Sequence, residues 1–225
     1  MSLSAPVEGD KPNGPRSRKG VQTRARLVAA AKEIFEENGF LDARISDIAE
    51  RAGLSHGSFY HYFESKEEIF REVAATVDEL LAAPQRTVVL DPSSRAAPRD
   101  RIHEAMRQYL ESYREEAKIV GVIEQVSRYD DEVGALRLAR HRRYVQEMAG
   151  SVRQLQLRGR ANPKIDPEIV AAALGSLTTR FAETWLVEGA VECSFDDAVD
   201  QLTLLFVNAL GLTDGSEPAG WRAQD

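Results

Sequence analysis

One cysteine, Cys193, stands among the 225 residues. That scarcity excludes an internal disulfide and suits a reducing compartment. Cys193 itself reads as a small residue in a connection rather than as a nucleophile. Long apolar runs are absent too. None approaches the roughly 18 residues that a membrane span needs, and the first residues lack the apolar core of a signal peptide. The expectation is a cytoplasmic protein with no membrane partner. Histidine is sparse, at His56, His61, His103 and His141. The nearest two miss the i, i+4 pairing of a helical metal site. There is no phosphate-binding loop, no glycine-rich dinucleotide turn and no nucleophile elbow. The Glu-x-x-His pairs of a di-iron bundle are missing. Glu115-Glu116 and Asp130-Asp131 are adjacent carboxylates, which point apart on a helix and read as solvated faces or caps. No catalytic residue, metal or cofactor is expected. No repeat recurs at a solenoid period.

The residues that are present are ordinary in bulk and uneven in distribution. The chain is 43% hydrophobic and 29% charged, as globular proteins are. Its net charge is −7, yet residues 1–71 hold 11 Lys+Arg against 11 Asp+Glu, so the whole excess lies in residues 72–225. Within the first part Arg16, Arg18, Lys19, Arg24 and Arg26 form a basic cluster with no acid among them. Local charge, not the chain total, decides attraction to phosphate. A solvated tail has the same composition, so the cluster takes its meaning from the segment next to it.

That segment is RISDIAERAGLSHGSFYHYFESKEEIF, residues 44–70. Ser46, Ser55 and Ser65 are each placed to cap a helix start, and Ser65 with Glu68 spells a capping box. Gly53 supplies the positive φ of a tight turn between the first two helices. Ala49 is small enough for two helices to cross closely. Ile45, Ile48, Ala52, Leu54, Phe59 and Phe63 give the apolar spacing that holds such a pair. Two short helices around a glycine turn describe a helix-turn-helix, whose second helix enters the DNA major groove.

The rest of the chain reads as helix after helix. Residues 1–15 have no periodicity and are expected to be disordered. A first helix covers about residues 21–38, with Leu27, Ala31, Ile34 and Phe35 buried, Gly39 as its stop and Phe40 folded back onto that stripe. The fourth helix starts at Lys66 and reaches about residue 82, burying Ile69, Phe70, Val73, Val77 and Leu80. Pro84, Pro92 and Pro98 punctuate a joining loop, and residues 87–90 could pass for a short strand without a partner. Amphipathic helices then fall at about residues 100–114, 118–128, 131–157 and 169–186, and a last one starts at Ser194 and ends before Gly211. Leu138 and Leu155 belong to the buried set of the long third of these. Asp166 and Pro167 form a helix start. The tail from Thr213, with Trp221, is polar and expected to be loose.

Residues 23–70 resemble the N-terminal domain of the tetracycline-repressor (TetR) family of bacterial transcriptional regulators. The resemblance rests on the first helix's apolar frame, Gly39-Phe40, Ile48-Ala49, Ala52-Gly53, Ser55, Phe59-Tyr60, Phe63 and Ser65-Lys66-Glu67. It implies an all-α protein: a three-helix helix-turn-helix domain, then a helical domain that binds an effector and dimerises. The corresponding division is a basic tail over 1–18, the DNA-binding domain over 19–65, the effector and dimerisation domain over 66–212 and a flexible tail over 213–225. The implied function is a ligand-released repressor that binds an inverted-repeat, double-stranded operator as a homodimer. An enzyme is not expected. A helical adaptor would not need the basic cluster.

His56, Gly57 and Ser58, at the start of the third helix, are positioned to approach base edges. Ser55 caps that helix. Tyr60, His61 and Tyr62 offer donors to phosphate, and Arg44 and Ser46 reach the backbone from the second helix. By family position Tyr60 also contacts a base, while Tyr62 and Lys66 anchor phosphates. Partial burial of Tyr60 and Tyr62 is the competing reading. Many family members carry Thr or Pro where this chain has Ser58 or Gly57, so base preference does not transfer. Met106, Tyr109, Tyr113, Ile123, Tyr144, Met148, Phe181 and Trp185 could line an effector cavity suited to a hydrophobic or amphipathic small molecule. At helical spacing such residues are first of all ordinary core packing. The resemblance places the dimer interface on the last two helices, where Leu177, Leu202, Leu205, Phe206 and Ala209 are the candidates.

Overall fold

The computed structural model describes residues 18–84 and 96–212, all of them helix or short connection. The expectations for Arg16 and the tail before it, the strand-like residues 87–90, and the tail with Trp221 lie outside the described residues. No helix among those described is long and apolar enough to cross a membrane. The chain divides into two compact units, with the boundary between Val73 and Ala74.

The first unit is built from α1 (Arg18–Asp42), α2 (Ile45–Arg51), α3 (His56–Phe59) and the start of α4 (Lys66–Pro84). α1 is bent at Gly39, whose φ of 70° and ψ of 178° break the helical path, a conformation that glycine takes without a Cβ penalty. The bend brings Phe40 back: its ring lies 5.8 Å from Phe35 and 4.8 Å from Phe70. Phe35 meets Phe70 edge-on at 4.9 Å, a preferred aromatic geometry. Leu27, Ala31, Ile34, Ile48, Ala49, Phe59 and Phe63 complete a buried core. Gly53, at φ 68°, makes the turn between α2 and α3.

The serine starts behave differently from one another. Ser55 caps α3, its oxygen accepting from the Ser58 N–H at 3.3 Å. Ser46 does not cap α2. Arg44 occupies the cap position with no side-chain bond, and the Ser46 hydroxyl donates instead to the neighbouring Asp47 carboxylate at 2.9 Å. Ser65 accepts from the Glu68 N–H at 3.1 Å, but the Glu68 carboxylate returns to the N–H of Glu64 at 2.6 Å rather than to that of Ser65. The reciprocal capping pair is therefore shifted by one residue.

The second unit holds the rest of α4, α5 (Pro98–Glu115), α6 (Ala117–Val126), α7 (Asp131–Leu157), α8 (Pro167–Ala182) and α9 (Phe195–Leu210). Asp130, Asp166 and Ser194 cap α7, α8 and α9 with side-chain oxygens. α8 passes into a π-helical turn, Glu183–Val187, in which the Glu188 N–H reaches back five residues to the Glu183 carbonyl at 3.0 Å. α7 packs on α8, α5 on α9, α8 on α9, and α6 on the π turn. Leu110, Ile119, Val126, Val133, Ala149, Val152, Ala171 and Val199 form the core. Two apolar positions expected inside are outside: Leu80 is exposed while Leu81 is buried, and Leu138 is exposed. In each case the helix turns its stripe by about 100° from one residue to the next, which periodicity alone does not anchor.

Candidate functional site

In the first unit, α3 begins at a side-chain cap and presents an open surface. Arg44, Ser46, Ser55, His56, Gly57, Tyr60 and His61 are exposed. A Cβ at Gly57 would meet no atom within 4 Å, so nothing in the unit fills that space. The His56 and Tyr60 rings stand edge-on at 5.4 Å. Ser58 is half-buried, and its hydroxyl is 2.8 Å from that of Ser55. Tyr62 is half-buried, whereas Tyr60 is 50% exposed and so keeps its hydroxyl reachable. Phe59 and Phe63 are core. These groups supply side-chain donors and acceptors of the kind that read base edges and phosphates.

Three cations near this surface have internal partners. Lys66 donates from Nζ to the carbonyls of Phe40 at 2.7 Å, Leu41 at 3.0 Å and Ala43 at 3.0 Å. Its ammonium also lies 4.7 Å from the centre of the Phe40 ring. An ammonium has only three N–H donors, so the residue expected to anchor a phosphate instead ties the end of α1 to the start of α4. Arg24 pairs with Glu72 and sits 4.4 Å over the Phe63 ring. Arg51 forks onto Glu33 and Glu37, both at 2.8 Å. Arg18, Lys19 and Arg26 are exposed.

In the second unit a cavity of about 560 Å³ opens among α4, α5, α7, α8 and α9. Drug-sized ligand sites fall in this size range. Met106, Tyr109, Tyr144 and Met148 line it. Tyr113, Ile123, Phe181 and Trp185 do not. Tyr113 is one turn beyond Tyr109, buried with its ring 5.8 Å from it. Ile123 is buried on α6. Phe181 and Trp185 lie 5.8 Å apart, and Trp185 meets Phe195 at 6.1 Å. Six residues on from Gly175, Phe181 projects from another side of its helix.

The wall is more polar than the sequence suggested. Arg140 donates from Nη1 to Asp78 Oδ1 at 2.5 Å inside the cavity. Burial pushes the Asp78 carboxyl above its usual range even though Arg140, Arg137 and Arg143 pull it down. Tyr109 shares a hydrogen bond with Thr179, and burial raises its hydroxyl further above neutrality. Burial raises Tyr144 likewise. Both phenols therefore stay protonated and able to donate. The Tyr144 ring lies against Gly175, where a Cβ would stand 2.9 Å from Cδ1; that glycine is what lets the ring lie flat on α8. Asp78, Arg140 and Thr179 were missed in the sequence. The signal for Asp78 was available: an acid placed beside Val77 and Leu81 on an otherwise apolar face.

The proposed dimer residues split between two faces. Leu202 and Phe206 are buried, and Phe206 lines the cavity. Four residues apart, they share the inward face of α9. Leu177, Leu205 and Ala209 are exposed, together with Ile169 at 71% and Leu204 at 45% exposure. α8 and α9 thus carry an uncovered apolar face, a hallmark of interaction sites.

Comparison with known proteins gives two family matches. Residues 27–73 match the bacterial regulatory proteins of the tetR family, and residues 102–210 match the C-terminal domain of the transcriptional regulator EthR. YdgC of Bacillus subtilis, an uncharacterized HTH-type transcriptional regulator, is 51% identical over 55 residues, 24% of this chain and 28% of that one. The HTH-type transcriptional regulator UidR of Escherichia coli K12 is 28% identical over 157 residues, 69% of this chain and 78% of that one. The solved structure of SmeT, the repressor of the Stenotrophomonas maltophilia multidrug efflux pump SmeDEF, aligns with a TM-score of 0.68 at 20% identity, covering 88% of this chain and 94% of that one.

Proposed function

The chain belongs to the TetR family of DNA-binding transcriptional regulators, which are not enzymes, and from that membership we propose that it is a repressor released from its operator by a small ligand. It binds an inverted repeat as a homodimer. His56, Gly57, Ser58 and Tyr60 read bases, while Arg44, Ser46, His61 and Tyr62 hold phosphates. Two α3 units then engage half-sites about one DNA turn apart, roughly 34–36 Å, or a multiple of it. The exposed apolar face of α8 and α9 supports the dimer.

The observation that carries the release reading is the composition of α4. That helix contributes Ile69, Phe70 and Val73 to the core of the first unit, and Ala75, Asp78 and Leu81 to the cavity wall of the second. A ligand that binds better to one arrangement of α4 shifts the population by as much as its two affinities differ. SmeT, named as a repressor, shares the fold.

The test is selection of bound duplexes from a random library with the purified chain. An inverted repeat is expected. In follow-up binding, His56→Ala changes which sequences win, and Tyr62→Phe weakens all alike. Recovery of no motif at low salt would end the operator reading. A uniform loss from both variants would end the division into readers and anchors.

A further inference from the structure

The cavity wall holds an ion pair whose two halves tolerate displacement differently. Arg140 on α7 and Asp78 on α4 meet at 2.5 Å, and both line the cavity. Along α7, Arg137, Arg140 and Tyr144 succeed one another at steps of three and four, so they share a face. Eight residues past Arg140 that wall reaches Met148, about 12 Å further along the helix axis. The cavity wall sets apolar side chains, among them Met106, Met148 and Phe206, beside the Asp78–Arg140 pair and other charged groups such as Glu147, a mixed lining that fits an amphipath with a polar head.

The sign of that head comes from chemistry. A cationic head would take Asp78 and strand Arg140, whose guanidinium cannot shed its proton. A buried charge left without its partner is strongly unfavourable. An anionic head would take Arg140 and displace Asp78, which can answer by binding a proton. Burial already favours the neutral form of Asp78. The Tyr109 hydroxyl, which stays protonated and interacts electrostatically with both Arg140 and Asp78, is a second donor for an anion. Resting on the reading of this cavity as the effector site, the geometry points to an amphipathic monocarboxylate as the ligand, its carboxylate replacing Asp78 on Arg140 and its apolar body lying along Met106, Met148 and Phe206.

Other charged groups surround Asp78. On α4, Glu79 pairs with Arg143 at 3.7 Å. On α7, Arg137 pairs with Glu124 of α6, and Glu147 lies two turns beyond Arg140. Beside α8, Arg180 pairs with Glu183 at 3.0 Å. Tyr109 of α5 stays protonated. His141 also lines the cavity, so it needs its own control.

Isothermal titration of the full chain with decanoate and with decylamine, at about pH 6 and about pH 8, tests the assignment. Decanoate should bind once per chain and at least about tenfold more tightly than decylamine. Its affinity should rise about tenfold from the higher pH to the lower, because Asp78 takes up a proton on binding. His141→Gln should keep that pH dependence. Asp78→Asn should keep decanoate binding and lose the pH dependence. Arg140→Gln alone leaves Asp78 unpaired, so an Asp78→Asn/Arg140→Gln double variant, checked for native helix content by circular dichroism, is run beside it. Both should lose decanoate binding. Decylamine binding as tightly as decanoate, decanoate binding retained in the double variant, or pH dependence lost with His141→Gln would each overturn the assignment. Decanoate that binds as described but leaves the protein on its selected duplex would overturn the release reading and uphold this one.

Discussion

Lys66→Met separates two roles for a cation at the start of α4. In the structure its ammonium donates to the carbonyls of Phe40, Leu41 and Ala43, and rests over the Phe40 ring. A sheltered hydrogen bond from a charged donor contributes about 1.5–3 kcal/mol. Lys66 is half-buried, so water competes and the three bonds together are worth about 2–3 kcal/mol. The ring adds about 0.5–1 kcal/mol. Met keeps the apolar stem and removes only the charge and its donors. A loss of about 3 kcal/mol lowers the unfolding midpoint of a chain this size by about 6–12 °C. The assay is thermal unfolding by circular dichroism, paired with duplex affinity measured across a salt series. A lost phosphate contact would flatten the slope of log affinity against log salt by about 0.9; a lost internal tie leaves the slope unchanged. An unchanged midpoint with a flattened slope would refute the reasoning, because the ammonium would then leave its carbonyls for phosphate.

The remaining predictions concern the second unit. Gly175→Ala drives the Tyr144 ring off α8 and into the cavity, costing about 1–3 kcal/mol of stability; a crystal structure of the variant with the ring unmoved would contradict this. Leu177→Glu with Leu205→Glu, on exposed positions, should yield monomers by analytical ultracentrifugation with little change in the unfolding midpoint. Leu202→Ala, in the core, should instead destabilise by about 2–4 kcal/mol. Asp78 has its carboxyl raised by burial, so the folded state holds this proton more tightly than the unfolded one. Its contribution to stability is therefore most favourable below the ordinary carboxylate range, about pH 4, and is lost as pH rises through the raised value. Urea unfolding should show the stability of Asp78→Asn minus that of the parent chain increasing across that rise, and a decrease would count against the burial argument.

Local signals made most of the fold legible. Asp130, Asp166 and Ser194 announce three helix starts because a side-chain oxygen next to an apolar-periodic run satisfies orphan N–H groups. The Gly39 bend and the return of Phe40 were readable for the same kind of reason. Ser46 misled because the helix starts earlier than its position suggests: Arg44 is the cap residue and Ser46 already lies in the first turn, where its hydroxyl donates to Asp47. Periodicity also leaves the orientation of a stripe open. That is why Leu80 was chosen over Leu81, and why Leu202 and Phe206 were grouped with Leu205. The cavity was half legible. Met106, Tyr109, Tyr144 and Met148 sit on the helix faces that form it, but the Asp78–Arg140 pair joins residues 62 positions apart. No local pattern links them. Lys66 was legible as a cation at a helix start, while its three carbonyl partners come from the bend of α1, which only the folded chain brings near.

The π turn at Glu183–Val187 bears on how such chains vary in length. A hydrogen bond that spans five residues instead of four accommodates one extra residue in a single turn. Loss of one residue there would restore ordinary helical spacing, leaving Gly175, Thr178 and Thr179 upstream in place. The segment that leads through the exposed Cys193 to α9 would absorb the change. Among descendants of a common ancestor, this is where a one-codon insertion or deletion would be tolerated with Glu183 the one cavity-wall residue inside the altered turn.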